Sequence, residues 1–331
     1  MQSKGALLLS RTEVAELLTL ENCIAAVERV FRLQGEGKVP GAEILGVKTP
    51  RGGLHVKAGL LPGERSYVVA KANTNFPDNP QRFALPTIQG VVVVFDAENG
   101  CPLAVLDSID ITIKRTAAAS AVAAKYLSQT DSSIGTICGC GTQARAQLRA
   151  IHAVVPLKKI YAFDLNEGAA KNFATELGVE LDLEIEAVRD LRPAIRQSDV
   201  CATCTPSREF FVHREDVAEG TFIAAVGADD AHKQEIDPAL IASCKLVVDS
   251  LEQCSTIGEL HHSISKGLMR RENVYAELGE IVSARKPGRI SEDEIIVFDS
   301  TGVAIEDAIT AAAVYEKACA SNVGTYFNFA A

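Results

Sequence analysis

The sequence predicts an α/β protein: a doubly wound parallel sheet preceded by a largely antiparallel α+β domain. Three observations carry this. A strand, a glycine turn, a helix and a second strand follow one another between Ser133 and Asp164. Beyond them, strand-like and helix-like segments alternate, as crossover helices covering both faces of a parallel sheet require. Before them, residues 54–106 hold four strand-like runs without intervening helices, which implies antiparallel pairing.

Taken in order, Ser10-Arg-Thr-Glu13 has capping-box form, and Thr19 offers a second helix cap. Ile24, Val27, Val30 and Phe31 recur at helical spacing, and Gly35 and Gly37 stop that helix. Strands are predicted at 54–58, 67–72, 87–95 and 103–106, the last two joined by a turn at Glu98-Asn-Gly100. Asp110 to Leu127 is an alanine-rich bridging helix. Strands then fall at 134–138, 159–163, 183–187, 199–204, 221–226, 245–249 and 294–298. Helices fall near 142–154, 166–177, 238–243, 255–266 and 273–283. Gly302 to Ala320 forms a final amphipathic helix that can return to the first domain. The expected domains are therefore residues 1–128 with 305–331, and residues 129–304.

At 331 residues the chain is long enough for two cores. A net charge of −10 without a basic run argues against nucleic acid and anionic membranes as partners. No apolar stretch reaches the roughly 18 residues of a membrane span, and the N-terminus lacks a signal-peptide pattern. Nine scattered cysteines suit reduced thiols, so a cytoplasmic protein is expected. Cys138-Gly-Cys140 and Cys201-Ala-Thr-Cys204 sit at predicted strand ends without a His or Cys cluster at zinc spacing, and read as structural.

The glycine turn Gly139-Cys-Gly141-Thr142-Gln143-Ala144 has the pattern of a dinucleotide site. Gly139 permits the turn, Gly141 admits a pyrophosphate, and small Ala144 lets helix and strand pack closely. Thr142 and Gln143 open the helix whose amides face the phosphates. Asp164 lies 25 residues beyond Gly139, where it can accept hydrogen bonds from ribose hydroxyls. Its charge repels a 2′-phosphate, so NAD is expected over NADP.

Ligands in such sheets bind outside the carboxyl ends of the strands. That rim holds Thr203 and Thr205, then Val226-Gly-Ala-Asp229, then Asp299-Ser300-Thr301. Thr203, Thr205, Val226, Ser300 and Thr301 are candidate cofactor contacts. Asp229 is a candidate proton acceptor, against the plainer reading of a loop acid. The first domain supplies the other polar candidates. His55 and Lys57 share one face of a strand, Lys71 ends an apolar run, and Thr87 opens the next strand. A lysine in an apolar strand must reach water or find a partner. Arg115 stands in an alanine-rich helix, where a guanidinium suits bidentate carboxylate binding.

With these residues assembled, the chain resembles the ornithine cyclodeaminase/μ-crystallin family over nearly its whole length. The matching stretches are Lys71-Ala-Asn-Thr-Asn-Phe-Pro, Leu85-Pro-Thr-Ile-Gln-Gly90, Thr112-Ile-Lys-Arg-Thr-Ala-Ala117, Gly139 to Ala144, Val226 to Asp229 and Val297-Phe-Asp-Ser-Thr-Gly302. The resemblance implies a Rossmann domain, and a substrate domain whose sheet forms a homodimer interface. It implies NAD(P) chemistry on small amino or imino acids. Carried over by motif, Lys71 and Asp229 are catalytic, and Arg115 and Thr87 bind substrate. One departure stands out. The family's second carboxylate-binding arginine has no counterpart in Lys38-Val-Pro-Gly-Ala-Glu43, and Lys57 or His55 is a candidate replacement.

The resulting expectation is NAD(H)-dependent oxidoreduction of the C–N bond of a small amino acid or its imine. Imine or pyrroline-2-carboxylate reduction and alanine dehydrogenation are the leading forms. The alternatives are a cyclodeaminase that uses NAD catalytically and releases ammonia, or a crystallin-like NAD(P)-dependent binding protein. The acid that cyclodeaminases use to hold a diamine has no clear match here.

Overall fold

A computed structural model describes residues 5–41 and 43–329; Ala42, beside the expected missing arginine, lies outside the described residues. The chain forms two compact units. Unit 1 is the chain up to Arg115 together with the segment from Val303 onward, and unit 2 is Thr116–Gly302. The division falls inside the bridging helix rather than at its end.

Unit 1 begins with β1 (Ala6–Leu9) and α1 (Arg11–Leu17). The capping box is present: the Ser10 hydroxyl accepts the Glu13 N–H, and the Glu13 carboxylate accepts the Ser10 N–H at 2.8 Å. Thr19 caps α2 (Leu20–Gly35), which buries Cys23, Ile24, Val27, Val30 and Phe31 along one face. There follow β2 (Glu43–Thr49), β3 (Gly52–Leu61), β4 (Tyr67–Asn75), the short α3 (Asn79–Phe83), β5 (Ile88–Asp96), β6 (Pro102–Asp107) and α4 (Ile109–Leu127). Strands β1 and β2 escape the sequence reading. The first is four residues long, and the second is exposed at every position, so neither shows a burial period.

Unit 2 alternates as expected. It runs β7 (Ile134–Cys138), α5 (Thr142–His152), β8 (Lys159–Phe163), α6 (Glu167–Leu181), β9 (Glu184–Ala187), α7 (Leu191–Arg196), β10 (Val200–Thr203) and β11 (Phe222–Ala225). It continues through α8 (Pro238–Ser243), β12 (Lys245–Val248), α9 (Leu251–Cys254), α10 (Gly258–Ser265), β13 (Ala276–Glu277), α11 (Leu278–Val282) and β14 (Ile296–Asp299). The eight strands are all parallel, in the order β13-β12-β14-β11-β10-β7-β8-β9. The chain winds outward from β7 through β8 and β9, then returns to place β10 on its other side. The β7/β10 boundary is thus the switch point where doubly wound sheets bind ligands. Two expected helices are corrected. Residues 273–283 hold the short strand β13 before α11 begins. The 255–266 helix starts only at Gly258, whose φ of +85° separates it from α9.

The chain then re-enters unit 1 as α12 (Ala304–Ser321) and β15 (Thr325–Phe327). The first sheet has the order β15-β1-β6-β5-β4-β3-β2 and is antiparallel except between β1 and β6. Helix α12 packs on β3, β4 and β5 and against α2. It covers the face that carries Val69, Lys71, Val92 and Val94. The opposite face stays apolar and open: Leu45, Val47, Val68 and Val91 are exposed there. Among the described residues no helix is long and apolar enough to cross a membrane.

Phe298 is fully buried in β14, inside the parallel sheet. Phe298→Ala should lower the stability of unit 2 by about 3–5 kcal/mol, read as a lower urea midpoint.

Candidate active site

The glycine turn after β7 is built from two glycines with different work. Gly139 adopts φ +85°, and a Cβ there would lie 2.9 Å from the Cys204 carbonyl oxygen, so the backbone itself requires glycine. Gly141 meets nothing within 4 Å. Its missing side chain serves no packing need and leaves space at the start of α5. That helix has no side-chain cap hydrogen bond at Gly141, and helix amide ends attract anions. Thr142 is exposed there, Gln143 half-buried, and Ala144 fully buried behind them. Asp164 follows β8 and accepts the N–H of Cys140 and of Asn166, both at 2.8 Å. Open space, uncapped amides and a carboxylate fastened beside the turn fit a dinucleotide.

The neighbouring loops are held by carboxylates absent from the sequence reading. Buried Glu235 accepts the Thr205 N–H at 2.6 Å, the Thr205 hydroxyl at 2.7 Å and the Gly227 N–H at 2.8 Å. It thereby ties the loop after β10 to the loop after β11. Burial pushes its carboxyl upward, against the pull of these donors. Asp249 accepts the N–H of Thr301 at 2.7 Å and of Gly302 at 2.6 Å, and Gln253 donates to both carbonyls. Thr203, Val226, Ser300 and Thr301 are buried, and the Ser300 hydroxyl finds no partner among the described residues. The proposed cofactor residues thus stand at the carboxyl ends of β7, β8, β10, β11 and β14.

Asp229 lies in the loop after β11, with its side chain 57% exposed and Lys233 Nζ 2.6 Å from Oδ1. His262 places Nε2 2.8 Å from the Lys233 carbonyl oxygen and so braces that loop.

In unit 1, Lys71 and Arg115 come together. Both are buried, at 4% and 5% exposure, so neither snorkels nor lies on a surface helix. Their partners are adjacent residues in the first turn of α12. Asp307 Oδ1 accepts Lys71 Nζ at 2.8 Å and Arg115 Nε at 2.9 Å, and Glu306 Oε2 accepts Arg115 Nη1 at 2.9 Å. Burial drives the Lys71 ammonium down to about 7 despite Asp307. For Asp307 burial acts to raise the carboxyl, but Arg115 and Lys71 outweigh it and hold it below its usual value. Lys57 pairs directly opposite Lys71 across β3 and β4, and His55 opposite Asn73. His55 is exposed. Thr87 precedes β5, where its carbonyl accepts the Phe76 N–H at 2.8 Å. Its side chain makes no hydrogen bond to Lys71 or Arg115 among the described residues.

Glu306 and Asp307 are the residues that sequence reasoning missed. The available signal was two acids in the apolar helix Ala-Ile-Glu-Asp-Ala-Ile-Thr-Ala-Ala-Ala, the same anomaly that drew notice to Arg115.

Residues 5–322 match the ornithine cyclodeaminase/mu-crystallin family. The chain belongs to this family. It is 40% identical over 325 residues to an alanine dehydrogenase of Archaeoglobus fulgidus, covering 98% of each chain. Its structure matches an archaeal alanine dehydrogenase dimer with bound NAD (TM-score 0.93, 38% identity, 98% and 99% of the two chains). It also matches the Thermococcus litoralis Δ1-pyrroline-2-carboxylate reductase in complex with NADH and L-proline (TM-score 0.89, 36% identity, 97% and 100%).

Two predictions follow from unit 2. Because Gly141 has open space around it, Gly141→Val should lower the melting temperature only slightly, through a poorer helix N-cap. It should weaken NADH binding, followed by fluorescence titration, by about tenfold or more through lost pyrophosphate approach. Asp299 is buried, and its carboxyl is pushed up to about 7 by burial and by Asp249, against the Leu260 N–H that it accepts. A raised acid stabilises the fold while protonated, so this contribution is lost as pH rises from about 4 to about 7. Urea unfolding at pH 5 and pH 8 should show the loss, and Asp299→Asn should remove it.

Proposed function

We propose that this chain is an NAD(H)-dependent oxidoreductase that interconverts a small α-amino acid and its imine. NAD(H), when bound, supplies or accepts the hydride; the protein's work is to hold and orient the substrate. Gly139, Gly141, Thr142, Gln143 and Ala144 hold the pyrophosphate, Asp164 the ribose, and Thr203, Thr205, Val226, Ser300 and Thr301 line the remainder. Unit 2 is the cofactor domain and unit 1 the substrate domain.

The observation that carries the substrate reading is the buried cluster of Lys71, Arg115, Glu306 and Asp307. Its two cations and two carboxylates balance, and Lys57 opposite Lys71 adds a further positive charge. A substrate carboxylate is drawn to the cations of this cluster. Anchoring that carboxylate fixes the adjacent α-carbon, the atom that exchanges hydride. Asp229 accepts the amine proton in oxidation and returns it in reduction. Both acids of the cluster are already paired, which disfavours a diamine whose second ammonium needs a carboxylate. His55 and Lys57 stand in for the absent arginine.

The open apolar face of the first sheet is the homodimer surface in this reading. Leu45, Val47, Val68 and Val91 lie exposed on it, as an interface core requires. Nine free thiols suit a reducing cytosol.

The test is a panel of L-alanine, L-proline and L-ornithine with NAD, and of pyruvate plus ammonium and Δ1-pyrroline-2-carboxylate with NADH, followed at 340 nm. Net absorbance change is expected with a monoamino acid or its imine. Ammonia release from ornithine without net change would instead identify a cyclodeaminase, and no turnover at all would identify a binding protein. Lys71→Ala and Asp229→Ala should each lower kcat/KM by about 10²-fold or more, and wild-type rates in either would remove that residue from its role.

A further inference from the structure

We infer that Asp307 is the positioning residue of the carboxylate site: one buried carboxylate directs Lys71 and Arg115 together and leaves each an unspent donor edge for the substrate. The inference rests on reading those two cations as the substrate's anchors.

The geometry is that of a bridge. Asp307 Oδ1 lies 2.8 Å from Lys71 Nζ and 2.9 Å from Arg115 Nε, while Oδ2 lies 2.7 Å from the same ammonium. Glu306, one residue earlier on α12, takes Arg115 Nη1 at 2.9 Å. These contacts occupy the Nε and Nη1 donors of the guanidinium and leave Nη2 without a partner among the described residues. The Lys71 ammonium has three donors, and Asp307 is its sole acceptor among the described residues. Both cations are nearly excluded from water. Unspent N–H groups on buried cations are costly, and an arriving carboxylate satisfies them.

Asp307 also determines whether Lys71 is charged. From β3 Lys57 faces Lys71, from α4 Arg115, and from α12 Asp307 with Glu306 beside it; β5 offers only Val92. Burial, Arg115 and Lys57 all act to remove the proton, and Asp307 acts to retain it. The ammonium is therefore held near the edge of its charged range by one carboxylate. Without that charge Lys71 becomes a neutral amine that cannot anchor an anion, and Arg115 keeps only Glu306 to orient it.

The test compares wild type, Asp307→Asn and Asp307→Glu with Δ1-pyrroline-2-carboxylate, or with pyruvate plus ammonium, at saturating NADH across pH 5.5–9. Wild-type kcat/KM should fall as pH rises through about 7. In Asp307→Asn that limb should move to lower pH by about one unit or more, with KM raised about tenfold or more and more strongly affected than kcat. Asp307→Glu keeps the charge but moves it by a methylene, so the limb should stay in place while KM rises several-fold. A folded Asp307→Asn enzyme with a wild-type limb and KM overturns the inference, because only a residue that sets the charge of Lys71 moves the limb when its own charge is removed. If Asp307→Asn does not fold, a wild-type KM in Asp307→Glu overturns it. Wild-type enzyme that turns over neither carboxylate fails at the earlier step and sinks the proposed function, and this inference with it.

Discussion

Burying two cations beside two carboxylates is the constraint on which unit 1 depends. Moving such groups from water costs several kcal/mol per ion even after relaxation. The arrangement stands because each charge meets an opposite charge at hydrogen-bond distance: Lys71 with Asp307, and Arg115 with both acids. The elements that supply them are far apart in the chain. Lys71 comes from β4, Arg115 from α4, and the acids from α12, 236 residues after Lys71. The C-terminal helix must therefore return to the first sheet. The discontinuity of unit 1 follows from the position of its counter-ions as much as from the apolar face of α12.

Unit 2 uses buried carboxylates for a different purpose. Glu235 and Asp249 pair with backbone N–H groups at the carboxyl edge of the parallel sheet, rather than with cations. A carboxylate that accepts two or three amides fixes a loop without filling it, so space beside the loop stays free for a ligand. Asp164 joins the glycine turn to the end of β8 in the same way. Loops that carry the candidate binding groups are thereby tied to their neighbours, as precise sites require.

How much of this was legible in the sequence depended on the range of each constraint. The glycine turn was legible because its demands are local: a positive φ at Gly139, open space at Gly141, a small residue at Ala144 and an acid at the next strand end. Lys71 and Arg115 were legible as violations of an apolar pattern. Glu306 and Asp307 violated the same kind of pattern, yet an acidic pair at the start of a helix also reads as an ordinary complement to the helix dipole. Its partnership with cations about two hundred residues earlier has no local mark. Strands β1, β2 and β15 were hidden for a related reason. They are edge or near-edge strands defined by pairing with distant segments, and β2 and β15 bury no face that would give them a period. The strand inside the expected 273–283 helix is two residues long and exists only through its pairing with β12.

The placement of the cluster also explains how one scaffold serves different side chains. The proposed carboxylate anchors sit at buried positions of β4, α4 and α12, where a shift would disturb the core. The chain leaves that frame directly after Asn73 and Asn75. The β4–β5 connection then carries Phe83 and Leu85 exposed, with α3 as its only regular element. A site anchored at the carboxylate by packed elements can change its substrate through surrounding loops without changing its chemistry, since loops tolerate substitution that cores do not. Under the proposed function, the buried charges then fix the carboxylate, and the exposed segment between Phe76 and Thr87 is free to vary.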